Sequence, residues 1–220
     1  RNQLRQRREN GTLFRATVKM KKSELYEVLT AIKTILPPAG VTTVLNSDEI
    51  GYRKPLATVE ITLPTELSDH EGIVRRTSRK TTVEIIECWR HEKPTIYEMG
   101  IPIVETEDRF HYNVGMKIPL SMERDNVTPA YLRELRAACV NVTFDKLTAD
   151  DAQSAWVRDA VASDEISKNA VEKTLDLRFG KKRVIYDPSD PEGSKIAMSE
   201  GYVVIPPRSM TAEEWSNVKR

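Results

Sequence analysis

Apolar positions along this chain change their period several times, and each change marks an element. From Leu13 to Met20 they alternate, with Phe14, Ala16, Val18 and Met20 on one side and Arg15, Thr17 and Lys19 on the other. A period of two predicts a half-buried strand. From Ser23 to Leu36 the spacing becomes helical through Leu25, Val28, Leu29, Ile32, Ile35 and Leu36. Ser23 is placed to cap that helix, and Pro37-Pro38 stops it.

Val41 to Leu45 and Ala57 to Leu63 are β-branched runs on either side of the polar stretch Asn46 to Pro55. A loop holding Asp69, His70, Glu71 and Gly72 precedes a further alternating run, Lys80 to Trp89. Glu92-Lys93-Pro94 turns the chain into Thr95 to Met99, and then come Ile101 to Glu105, a turn at Glu107-Asp108, and Phe110 to Leu120. Strands with so few helices between them predict an α+β fold. Its sheet is expected to be mostly antiparallel, with the Ser23–Leu36 helix packed on one face.

Beyond Leu120 the pattern is helical. Thr128-Pro129 reads as an N-cap followed by proline in the first turn, ahead of the apolar stripe Leu132, Leu135 and Cys139. Thr148-Ala149-Asp150-Asp151 opens a second helix carrying Ala152, Ala155, Trp156 and Ala160. A third runs from about Asp164 to Phe179 and stops at Gly180. The tail then reads strand Arg183–Tyr186, helix Pro191–Glu200, Gly201 as its stop, and strand Tyr202–Ile205, a small βαβ unit.

Composition narrows the classes. The chain has 220 residues, 39% of them apolar and 30% charged, with a net charge of +1. At ~150 residues per domain that is one large domain or two small ones. A charge so near zero implies no global pull toward nucleic acid or acidic lipid. No run approaches the ~18 apolar residues that a membrane-spanning helix needs. The start lacks both an apolar leader and an initiator Met, which reads as a processed chain or a piece of a longer one. Cys88 and Cys139 sit in apolar contexts outside any C-x-x-C pair, and His70, His91 and His111 are scattered. Two buried thiols in a reducing compartment, the cytoplasm, and no metal site are the expectation.

The most informative chemistry lies in Ile118-Pro119-Leu120-Ser121-Met122-Glu123-Arg124-Asp125. Between a strand and a capped helix, Arg124 is expected on a loop whose two ends are rigidly held. Its planar fork of donors and permanent charge suit an anionic group, above all a phosphate. The run resembles the catalytic loop in the middle domain of the ninety-kilodalton heat-shock chaperones, P-L-N-x-S-R-E. Pro119, Leu120 and Arg124 match, and Asp125 stands in for the glutamate. Ser121 replaces the asparagine, Glu123 replaces the serine, and Thr128 falls where those chaperones carry a nucleotide-serving glutamine.

A second piece, Gly11-Thr12-Leu13-Phe14-Arg15-Ala16-Thr17-Val18, resembles the last box of the Bergerat (GHKL) ATP-binding fold. That fold is shared by the chaperones, type II topoisomerase ATPase subunits, MutL and the MORC proteins. The resemblance runs from about Gly11 to Asn141. It implies that residues 1–10 are a lead-in and residues 11–20 the last strand of an ATP-binding domain. Residues 21–142 would form the transducer-like α+β domain, and residues 143–220 a helical segment with the βαβ unit. It further implies a chain that couples ATP hydrolysis, held by an upstream domain, to movement. Arg124 would be catalytic, and Gly11, Thr12 and Ser121 would lie near the nucleotide. ATP and Mg2+ would be needed only in the full-length context. The implied partners are the upstream domain, a second copy, and a DNA, RNA or protein client, with no membrane and no nucleotide bound by this chain alone.

Other groups have local readings. Arg75, Arg76, Arg79 and Lys80 beside a strand suggest an alternative function, a non-enzymatic module gripping nucleic acid or protein. Asp187-Pro188-Ser189-Asp190-Pro191-Glu192 is read as a helix start, with Asp190 as N-cap and Glu192 in the first turn. Tyr97, His111 and Tyr112 are read as packing groups, because no carboxylate stands at a telling spacing.

Overall fold

The computed structural model of the chain describes residues 10–68, 71, 73–121 and 126–219. It divides into two compact units, Arg1–Thr34 and Ile35–Arg220. In the first, residues 12–21 form no strand, and Phe14 and Val18 are exposed. An alternating run becomes a strand only where a neighbour takes its backbone groups, and no described strand pairs with this one. Helix α1 (Lys22–Ile32) begins earlier than Ser23 and ends before Leu36. The Lys21 N–H donates to the Glu24 carboxylate at 2.7 Å, closing the first turn. α1 buries none of its residues.

In the second unit a hairpin of β1 (Thr43–Leu45) and β2 (Asp48–Ile50) comes first. The polar stretch hid β2. Asn46 and Ser47, at φ 50° and 74°, form a two-residue turn whose twist matches the strands. Five strands follow: β3 (Ala57–Ser68), β4 (Val74–Glu87), β5 (Thr95–Glu98), β6 (Ile101–Glu105) and β7 (Phe110–Val114). Their order in the sheet is β3-β4-β7-β5-β6. Every pair is antiparallel except β5 with β7, since β7 returns to slot between β4 and β5.

The two outer strands carry prolines, Pro64 in β3 and Pro102 in β6. The hydrogen-bond phase explains Pro64. The Gly115 N–H donates to the Thr82 carbonyl at 2.9 Å, so Thr82 and its even-numbered neighbours in β4 face β7. Val83 and Thr81 therefore face β3, where Val59 and Ile61 are their partners. Thr58, Glu60, Thr62 and Pro64 are left with their backbones turned to the free edge, where a missing N–H costs nothing.

Helix α2 (Pro129–Thr143) covers the sheet. Tyr131, Leu135 and Cys139 are buried at helical spacing, beneath Leu63, Val83, Ile85, Tyr112 and Val114. α3 (Ala149–Gln153) and α4 (Ala155–Val161), expected as one helix, are broken at Ser154, whose ψ of 154° is extended. The Trp156 ring meets Phe110 edge-on, with centroids 6.1 Å apart. α5 (Lys168–Phe179) is capped by Ser167 and stops at Gly180, at φ 81°. β8 (Arg183–Ile185), α6 (Pro191–Ser199) and β9 (Val203–Ile205) make the expected parallel βαβ unit. The Asp190 carboxylate accepts the Gly193 N–H at 2.8 Å, as an N-cap does.

A last helix, α7 (Ala212–Lys219), docks against α4 and α5. Buried residues from the sheet, α2, α4, α5 and β9 form one continuous cluster, which runs through residues 142–148 without a break. No helix among the described residues is long and apolar enough to cross a membrane.

Candidate functional site

The chain on either side of residues 122–125 is held by hydrogen bonds. Leu120 and Val127 form an antiparallel bridge, and the Ser121 N–H donates to the Asn126 carbonyl at 2.9 Å. Just before the loop, the Ile118 N–H donates to the Glu98 carboxylate at 2.7 Å. Just after it, the Thr128 hydroxyl accepts the Tyr131 N–H at 3.3 Å and Pro129 opens α2. Arg124 itself, with Met122, Glu123 and Asp125, lies outside the described residues. Ser121 is half-buried at the loop's base. Gly11 and Thr12 are exposed in the first unit, and Gly11 has a φ of 79°.

The basic run lies inside β4, on a two-stranded ribbon that extends beyond β7. Alternation along a strand sends neighbours to opposite faces. Arg75 and Arg79 therefore share one face, Arg76 and Lys80 the other. On that second face Arg76 pairs with Glu66 at 3.3 Å and Lys80 with Glu60 at 2.6 Å. The four cations do not make one patch. The ribbon is tied to the segment after β7, since the Thr65 hydroxyl donates to the Lys117 carbonyl at 2.7 Å.

Three groups that the sequence scattered are brought together. Ligand atoms of Cys88, Glu92 and His111 all lie within 4.8 Å of one another. This corrects the reading of His111 as a packing group without a carboxylate. The Thr95 N–H donates to His111 Nδ1 at 3.1 Å, which leaves the proton on Nε2, 3.1 Å from the Glu92 carboxylate. A metal on Nε2 would need the proton on Nδ1, facing the Thr95 N–H. The Arg53 guanidinium, 2.9 Å from both Glu92 oxygens and stacked on Trp89, adds a positive charge where a cation would sit.

The cluster is thus a clamp. It ties the stretch between β2 and β3 to the turn between β4 and β5. Burial would push the Glu92 carboxyl up, but the Trp89 N–H, His111 and Arg53 together hold it below its ordinary value. Burial pushes His111 down, against the pull of Glu92, and keeps it neutral. Burial and Glu92 push the Cys88 thiol up, away from the thiolate a nucleophile needs.

Tyr112 is likewise partnered: its hydroxyl donates to Asp108 at 2.8 Å, and Arg136 grips the same carboxylate at 2.6 Å. Arg136 lies 28 residues past Asp108 in the chain, so no local spacing announces it.

A further concavity of about 400 Å³ lies between the outer edge of β3 and α2. Val59, Glu60, Ile61 and Thr62 line one side, and Glu134, Ala138, Asn141 and Glu165 the other. Glu134, Ala138 and Asn141 fall four and three residues apart, on one face of α2. Burial first, and the charge of Glu165 second, push the Glu134 carboxyl up.

No protein-family model matches this chain, and comparison with curated proteins and with solved structures returned no match either.

Proposed function

We propose that this chain is the coupling part of a GHKL-type ATPase, working in the cytoplasm with ATP and Mg2+ held by a separate nucleotide-binding domain. The observation that carries the reading is the loop from Leu120 to Val127. Its base is closed by a strand bridge, and it leads straight into a buried helix. On this reading Arg124 supplies a permanent positive charge beside the nucleotide. It stabilises the charge that develops on the transferred phosphoryl group. Movement of that phosphoryl group then pulls on α2, which is packed across the sheet.

The nucleic-acid reading of the ribbon is the weaker one, because Glu60 and Glu66 neutralise two of its four cations. The test is steady-state ATP turnover by the assembly that joins this chain to its nucleotide-binding domain. Arg124→Ala is expected to slow turnover about 10³-fold or more. Arg124→Lys is expected to fail too, since a point charge on a flexible stem cannot replace a planar fork. Turnover at the wild-type rate in Arg124→Ala overturns the proposal, as does micromolar ATP binding by the isolated chain in calorimetry.

A further inference from the structure

The groove between β3 and α2 combines two features. The first is backbone. Thr58, Glu60 and Thr62 turn their N–H and carbonyl groups outward on an edge strand, and Pro64 ends the usable edge. The second is charge. Neither the Glu134 nor the Glu165 carboxylate is ion-paired among the described residues, although both line the same concavity. Between them Ala138 is small and leaves the floor open.

Three other carboxylates that the fold draws out of water are supplied with partners. Asp108, Asp159 and Glu214 all meet arginines. Like charges lining one groove repel, and the partial burial of Glu134 thins the water that would screen the repulsion.

We propose that this groove docks a short, basic, extended segment of a partner protein, which adds as a further strand to the free edge of β3. A strand laid there pairs its backbone with Thr58 through Thr62 and sends alternate side chains toward α2. Lysine or arginine at those positions meets Glu134 and Glu165, and small apolar residues fit over Ala138. Nucleic acid has the wrong charge for this surface. A free metal ion would leave the strand edge unused. The proposal does not depend on the ATPase reading.

The test uses a fluorescein-labelled heptapeptide alternating lysine with valine, and a second in which glutamate replaces lysine. Fluorescence anisotropy should show the lysine peptide binding at least tenfold more tightly, with affinity falling as salt rises. Glu134→Gln with Glu165→Gln should weaken it about tenfold. Thr62→Pro removes one outward N–H that makes no bond within the sheet, and should weaken the lysine peptide at least as much. Melting temperature checks that each variant folds. Should Thr62→Pro fail to fold, slowed hydrogen exchange at the Glu60 and Thr62 amides on peptide binding carries the backbone arm. Equal binding of the two peptides, no binding of the lysine peptide, wild-type affinity in the glutamine variant, or unchanged exchange at Glu60 and Thr62 overturns the proposal.

Discussion

Glu214 and Glu134 are helix glutamates, the first buried and the second half-buried, and they meet opposite surroundings. Glu214, fully buried at 0% exposure, stands between Arg178 at 3.0 Å and Arg158 at 3.1 Å. Its carboxylate also accepts the Thr211 N–H at 2.7 Å, capping α7. Burial alone would raise its pKa, yet these partners hold it below its ordinary value. Glu134 has a second glutamate for company, and its pKa is raised, by burial first and by that charge second. Glu92 resembles Glu214, with Arg53 and His111 as partners. Where a carboxylate ties elements together, the fold provides the counter-charge. Where it lines an open groove, the counter-charge is left for something else to bring.

The comparison breaks most visibly if Glu214 is neutralised. Glu214→Gln leaves Arg178, 8% exposed, without its charge partner, and should cost about 3–5 kcal/mol. Urea denaturation would show it as a lower midpoint at constant slope. A loss under about 1 kcal/mol would mean that the ion pair is not what holds α7 to α5.

The clamp should appear as acid sensitivity. The folded pKa of His111 lies below its ordinary 6.5, so the unfolded chain takes up the proton first. Stability is therefore complete above pH 6.5 and falls as pH drops below it, by up to about 1.4 kcal/mol per pH unit. Glu92 adds loss of the same sign below its ordinary 4.5. Denaturation at pH 7.5, 6.5 and 5.5 measures this, and His111→Gln should flatten the upper part of the curve. A wild-type profile flat between pH 6.5 and 5.5 would remove His111 from the account.

The smallest effect has the opposite sign. Glu134→Gln removes a charge that opposes folding, and should raise stability at pH 7 by about 0.5 kcal/mol. Because the Glu134 pKa is raised on folding, the wild type recovers this difference as pH falls toward 4.5, and the two proteins should converge there. A destabilised Glu134→Gln would show that the groove carboxylate has a structural partner, and would erase its contrast with Glu214.

Much of the fold could be read from local pattern. Asp190, Pro191 and Gly201 bracket α6 with groups that act within a single turn, and the βαβ unit stands where they place it. Thr128 and Pro129 likewise start α2, and so fix one end of the loop carrying Arg124. Local pattern misled where a strand needed an outside neighbour, as at Leu13 to Met20. It was silent where backbone φ made the turn, as at Asn46 and Ser47. The groove was invisible in advance, because Glu60, Glu134 and Glu165 come from three separate stretches of chain.

The sequence alone therefore determined the start of α2, the stop of α5 at Gly180, both ends of α6 and the α+β class. Those depend on residues two to four apart. Which strand lies between which others, and which charge meets which, was decided only by the tertiary structure. β7 enters between β4 and β5, and that insertion brings His111 to Glu92, 19 residues away. Arg158 reaches Glu214 across 56 residues. Pairings of that kind are set by burial, which strips water from charges and makes a distant partner the only relief, and no local period encodes it.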